Sequence, residues 1–409
     1  MATVYPFRAL RPTPENAGRI AAVPYDVVST EEARAMADGN PLSFLRVSRA
    51  ELELPPDTDP YSAPVYERAA ENFAALRKSL VLEDEPSVYL YRLRMGAHEQ
   101  TGLAACYSLD EYDRGVIRKH ERTRRDKEDD RTRHMIDLGA QTGPVFLTYR
   151  ASRAVDDIAT RVTAGAPLFD FEADDRVHHT VWRVGGADRD ALVKAFGSVP
   201  SLYIADGHHR AASAARARAD IRDRGLTRSS LGDDADYATV LAVAFPHDQV
   251  QILPYNRIVT DLGGMSAASF VDALRERFDV EPGPDRPAKR GDISMYLNRT
   301  WHTLRPRWRP AASDAIGSLD VSVLQEQLLA PVLKIADVRT DKRIDFVGGA
   351  RGTGELERLV KNGRAAAAFS LFPVSVTDLM AVSDTGAIMP PKSTWFEPKL
   401  RDGLLIHLI

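Results

Sequence analysis

Asp206-Gly207-His208-His209-Arg210 puts an acid, a glycine, two imidazoles and a guanidinium into consecutive positions. The apolar stretch from Leu202 to Ala205 leads into it, and an alanine-rich run from Ala211 to Ala219 follows. This order reads as strand, tight loop, helix. A helix start presents amide groups with no partner inside the helix and a partial positive charge, so phosphate oxygens bind well there. Gly207 lets a ligand come close to the backbone. His208 and His209 add donors, and the fork of Arg210 suits phosphate. Asp206 can orient a histidine or hold a divalent metal. The alternative is an ordinary helix cap with exposed histidines.

A second group of chemically able residues lies in Lys119-His120-Glu121-Arg122-Thr123-Arg124-Arg125-Asp126-Lys127-Glu128-Asp129-Asp130-Arg131. It is not a zinc-protease motif, because position 124 is Arg where the second His would stand. On a helix, His120, Thr123, Lys127, Asp130 or Arg131, and His134 share a face. Thr123, Lys127 and Arg131 would then meet phosphates, and Asp130 a metal. A solvated helix with exposed ion pairs, each worth under about 1 kcal/mol, is the competing reading. In the late loop Met389-Pro390-Pro391-Lys392-Ser393-Thr394-Trp395-Phe396, the residues Lys392, Ser393 and Thr394 could also reach phosphates. Trp395 and Phe396 allow a purely packing role instead. No G-x-x-x-x-G-K-S/T loop is present, which excludes a Walker-type kinase.

The elements that must position these residues follow from pattern. Ser29-Thr30-Glu31-Glu32 starts a helix that ends near Gly39-Asn40-Pro41. Tyr66 to Leu80 has one apolar stripe and reads as a helix. Val88 to Met95 and Thr101 to Leu109 flank a turn at Gly96 and predict a hairpin. Strands are expected at Val145 to Tyr149, Thr239 to Phe245, Val250 to Leu253, Ile293 to Leu297 and Ala366 to Phe372. Helices are expected at Ser266 to Phe278, Val321 to Leu333 and Gly354 to Lys361. The fold class is therefore mixed α/β. The length of 409 residues suggests about two domains. We place them at 1–235, carrying the Asp206 segment, and 236–409, a C-terminal α/β part.

Composition narrows the function classes. With 54 basic and 58 acidic side chains, the net charge of −4 gives no overall pull toward nucleic acid. The single cysteine, Cys106, rules out a disulfide within the chain and any all-cysteine zinc site. No apolar run approaches the roughly 18–20 residues that cross a bilayer. The first residues lack the pattern of a signal peptide. A cytoplasmic protein is expected, with no membrane partner.

The Asp206 to Arg210 segment resembles the phosphate-binding box of the ParB/sulfiredoxin-like superfamily, and most nearly that of its free serine kinases. The chain as a whole resembles a bacterial and archaeal family catalogued as a domain of unknown function, number 1015. The segments that carry this second resemblance are Val23-Pro24-Tyr25-Asp26-Val27-Val28, Asn40-Pro41-Leu42-Ser43-Phe44-Leu45, Lys119 to Thr123, Gln141-Thr142-Gly143-Pro144-Val145-Phe146, Asp206 to Arg210, and Met389 to Phe396. The first resemblance implies a ParB/sulfiredoxin-like nucleotide-binding core. It implies a small-molecule kinase that moves phosphate from ATP or ADP, with Mg2+, to the hydroxyl of free serine or a similar metabolite. Gly207, His208, His209 and Arg210 would hold donor phosphates, and Asp206 would help hold the metal. Glu15, His120, Glu121 and Asp206 would form the catalytic set, with Glu15 or Glu121 as base. Sulfiredoxin chemistry needs a cysteine where His208 stands. The alternative from the same resemblance is a nucleotide-responsive (ATP or CTP) regulator of ParB type. It would need a duplex-reading helix, and none is convincing. A homodimer is compatible with the sequence.

Overall fold

Strands rich in fully buried side chains dominate the first half of the chain in the computed structural model, which describes residues 1–224 and 236–409. We label them β1 (Val4–Tyr5), β2 (Val88–Met95), β3 (His98–Ser108), β4 (Ile117–Arg118), β5 (Val145–Tyr149), β6 (Phe169–Glu172), β7 (Val177–Val184), β8 (Leu202–Asp206) and β9 (Thr239–Pro246). They form one nine-stranded sheet in the order β4-β8-β5-β9-β3-β2-β7-β6, with β1 paired to β3. The hairpin β2–β3 forms around Gly96, whose positive φ the turn requires. β5 and β9 are parallel, as are β4 and β8, so the sheet is mixed. Every residue of β5 and β9 is buried, which fits their place inside the sheet. One apolar core gathers Leu90, Leu103, Leu147, Ile204, Ala211 and Ala242 on one side.

Two helices matter for the site: α1 (Arg125–Leu138) and α2 (His208–Asp223). The alanines of α2 allow close helix contact, and Ser213 Oγ donates to the Glu128 carbonyl of α1 at 3.1 Å. The charged segment does not form one continuous helix. Its helix begins only at Arg125, and His120 and Thr123 precede it in irregular chain. The expected face shared by His120, Thr123 and Lys127 is therefore absent. Dense charge without apolar spacing gave no signal for that start.

The chain divides into two compact units, residues 1–250 with 398–409, and residues 251–397. The expected boundary at 235 falls outside the described residues. The strand 239–246 had been expected in the C-terminal part. It lies instead at the centre of the first sheet, since a strand buried along its whole length needs a neighbour on each side. The last residues also return to the first unit: His407–Leu408 pairs with Ala140–Gln141. The second unit has its own six-stranded sheet, from strands at 255–259, 278–282, 293–297, 300–306, 344–348 and 367–371, all joined antiparallel. Ile258, Tyr296, Leu356 and Ala368 form a core within it. Among the described residues, no helix is long and apolar enough to cross a membrane.

Candidate functional site

β8 carries a register shift between Ile204 and Asp206 against β5, a bulge that re-aims the end of the strand. Gly207 follows with φ of 91°, a conformation that costs other residues strain. α2 then starts at His208 with no side chain capping its first amides. The Asp206 segment is thus at a strand end and a helix start, as its pattern predicts. Gly207 N–H donates to Asp206 Oδ1 at 2.8 Å, which fixes the carboxylate at the loop. Its other oxygen accepts from Lys399 Nζ at 2.9 Å. Burial raises the Asp206 pKa, but the charges of Lys399 and Arg210 overcome this and hold it well below the usual carboxylate range.

Lys399 was not legible as a site residue. It comes from the returning tail, is only 11 % exposed, and places an ammonium at the mouth of the loop. Asp26 was also missed as a functional group. It is exposed, and its charge acts on buried Arg210 and Asp402. The Pro24 and Tyr25 beside it gave a segment to notice but no role.

Arg210 does not meet the expectation of a fork open to solvent. It is buried, and its Nη1 donates to the Pro144 carbonyl. A side chain at Gly207 would meet its Nε at 3.0 Å, so the guanidinium lies directly behind the loop. The glycine is what lets that arginine turn back. With Asp206, Asp26 and Asp402 as its charge partners, Arg210 is a structural arginine as it stands.

His208 is buried as well, and burial holds its imidazole neutral, with the nearby His120 adding to the effect. His120 is likewise buried, and burial lowers its pKa to about 4. The two rings meet edge to face at 4.4 Å, and Glu121 Oε2 lies 3.9 Å from His208 Nδ1. His209 is only partly buried and accepts from the Arg124 amide at 3.0 Å. It thereby ties α2 to the chain that enters α1.

The remaining expectations scatter. Asp130 is buried, gripped by Arg131 at 2.8 and 3.0 Å and by Tyr66 Oη at 2.8 Å. Its carboxylate is already neutralised, so it is poorly suited to a metal. Arg131 stacks its guanidinium 4.2 Å from the Tyr25 ring centre. Lys127 donates to Tyr61 Oη at 2.6 Å. Both basic residues line a cavity of about 160 Å³ with Tyr25, Ser48, Tyr61 and Tyr66. Thr123 donates to Glu128. Glu15 sits exposed on the short turn Pro14–Asn16, and a hydrogen bond with Thr13 lowers its pKa. The structure does not place it among the charge partners of the Asp206 loop. Lys392, Ser393 and Thr394 belong to the second unit. There Ser393 Oγ donates to the Pro390 carbonyl at 2.6 Å, and the Lys392 carbonyl accepts from Arg257 at 3.0 Å.

Two chemistries are disfavoured by these contacts. Cys106 is fully buried within β3, and burial pushes its thiol far up, so no thiolate is at hand. On α2 the basic side chains Arg216 and Arg218 are engaged: Arg216 is paired with Glu128 and Asp129, and Arg218 with Asp110 and Asp113.

No curated protein matches the chain. Among solved structures, a free serine kinase in complex with AMP is similar at 12 % identity and a TM-score of 0.35, over 73 % of this chain and 91 % of that one. A conserved hypothetical protein from Pyrococcus furiosus is similar at 12 % identity and a TM-score of 0.35, over 75 % and 95 %. SbnI with a C-terminal truncation, from Staphylococcus aureus, is similar at 13 % identity and a TM-score of 0.37, over 73 % and 84 %. Scores this low carry no function from those proteins to this one. The sequence itself matches a family across residues 4–322. With most of its length matched, this chain belongs to the family described as protein of unknown function DUF1015.

Proposed function

We propose that the chain is a small-molecule kinase that moves a phosphoryl group from ATP or ADP to the hydroxyl of free serine or a similar metabolite. The observation that carries this reading is the uncapped start of α2 behind Gly207, with Asp206 and Lys399 at its mouth. Phosphoryl transfer needs positioning and charge stabilisation more than covalent protein chemistry. The amides of the first turn of α2 bind the donor phosphates, and His209 flanks them. Lys399, paired with Asp206 at 2.9 Å, supplies the positive charge in place of Arg210. Arg210 holds the loop in shape from behind. Magnesium enters with the nucleotide and shields charge on its phosphates. Asp206 meets it by exchanging its pairing with Lys399 for the metal, whereas Asp130 is gripped by both Arg131 and Tyr66.

The acceptor proton requires a base. Asp26 and Glu121 are the carboxylates near the loop, the first beside Arg210 and the second beside His208. Glu15 has neither contact. The resemblance of the Asp206 to Arg210 segment to the phosphate-binding box of the free serine kinases names the acceptor to try first. Purified protein incubated with magnesium, serine and either ATP or ADP is expected to yield phosphoserine, read by mass spectrometry or phosphorus NMR. Absence of any phosphorylated product across a panel of hydroxyl metabolites, with both nucleotides, rejects the kinase. Nucleotide binding without turnover would point to the regulator instead.

A further inference from the structure

We propose that His120, Glu121 and His208 form a binding site for a divalent transition-metal ion of the zinc type, separate from any magnesium that a nucleotide carries. Among the described residues, their ligand atoms lie within 4.8 Å of one another. The fold explains the meeting. β4 and β8 are parallel neighbours, with Tyr203 opposite Arg118. Both strands therefore end at the same edge, and the residues that follow each, His120 and Glu121 on one side and His208 on the other, emerge side by side.

The donor set selects the ion. Two imidazoles and one carboxylate suit zinc and its first-row neighbours, whereas magnesium prefers oxygen donors throughout. Three protein ligands leave a fourth position open. Around a tetrahedral ion with bonds near 2.1 Å, ligand atoms stand about 3.4 Å apart. Glu121 and His208 are at 3.9 Å and no pair is wider than 4.8 Å, so the set closes by movements of up to about 1.4 Å. Glu121 can move, because it is 38 % exposed and lies in the irregular chain before α1.

The histidines are held more firmly. His120 is hydrogen-bonded to the backbone of Ile204, the kind of outer partner that orients a metal-binding imidazole. The His120 amide donates to His208 Nε2 at 3.4 Å, so the proton of His208 sits on Nδ1, toward Glu121. Coordination through Nδ1 moves that proton to Nε2, where it faces the His120 amide, so the His208 ring must turn away from that N–H as the ion binds. The charge of Asp206 acts on both rings and favours a cation beside them. The inference does not rest on the kinase reading, since it concerns only what these side chains bind; with the ion in place Glu121 is a ligand, which leaves Asp26 as the base of that reading.

The test needs no nucleotide. The full chain, stripped with a chelator, is titrated with Zn2+ against a chromogenic competitor, and with Co2+ while visible absorption is recorded. One tight equivalent is expected, with the intense bands of low-coordinate cobalt, and excess magnesium should not displace it. Glu121→Gln and His208→Asn should each weaken zinc binding by about tenfold or more. Circular dichroism establishes that each variant is folded. If His208→Asn does not fold, Glu121→Gln decides, because its side chain is partly exposed. Zinc affinity unchanged in a folded Glu121→Gln, or the absence of a tight equivalent in the parent protein, overturns the proposal.

Discussion

Replacing Arg210 by alanine is expected to cost the fold about 3–5 kcal/mol, the range for removing one partner from a buried charge network. The guanidinium is buried, bonded to the Pro144 carbonyl, and surrounded by the charges of Asp206, Asp26 and Asp402. Without it, Asp402 loses the cation that does most to pull its raised pKa down. For a unit near the size of residues 1–250 with 398–409, each kcal/mol shifts the melting temperature by roughly 2–4 °C, so a drop of about 6–20 °C in that unit follows. Arg210→Lys should recover part of it, since a point charge keeps the attraction but loses the planar fork. Thermal unfolding of both variants checks this. An unchanged melting temperature together with lost nucleotide affinity would mean that the arginine does swing out to phosphate, and would reverse its assignment.

Asp402 should make stability in the first unit depend strongly on pH. Burial pushes its carboxyl up to about 7; Arg210, Arg131 and Arg401 pull it down, and Asp26 adds to the rise. Its Oδ1 finds no hydrogen-bond partner and lies against Gly143, where even a Cβ would come within 2.5 Å. The folded chain therefore holds a proton that the unfolded chain releases near pH 4. Stability falls as pH rises from about 4 to 7 and levels off above, because the native state binds more protons in that window. Asp402→Asn keeps the shape and removes the charge. It should flatten this contribution and gain up to about 4 kcal/mol at pH 8 relative to pH 4, since each tenfold change in proton affinity is worth about 1.4 kcal/mol.

The buried histidines act in the opposite sense. His120, His134, His179 and His208 all have lowered pKa values, so they favour the fold as pH rises toward neutrality. The comparison must be variant against parent, by urea unfolding at several pH values. An Asp402→Asn difference that stays constant from pH 4 to 8 would contradict the account.

Patterns confined to neighbouring residues were legible. The hairpin around Gly96, the strand Ile293–Leu297 and the step from Leu202 through Asp206 into α2 all show apolar runs bounded by turn signals. β7 escaped notice because His178, His179, Thr180 and Arg183 make it look polar, although His179 is fully buried between β2 and β6. The type of residue at the Asp206 loop was readable, but its direction was not. Whether Arg210 points out or back depends on the Pro144 carbonyl and on acids distant in sequence. Lys399 reaches Asp206 across 193 positions, and the His120 amide meets His208 across 88. Such meetings are set by sheet order and by the returning tail, and no local period records them.

The central claim is that the loop from Asp206 into α2 binds nucleotide phosphate with Lys399 as its cation. Isothermal titration of the full chain with ADP and magnesium, repeated on Lys399→Met, tests it directly. The account predicts saturable one-to-one binding in the parent and affinity at least about tenfold weaker in a folded Lys399→Met, the loss expected for a hydrogen bond to a charged group. No saturable binding of ADP or ATP, or binding that Lys399→Met leaves unchanged, would contradict it.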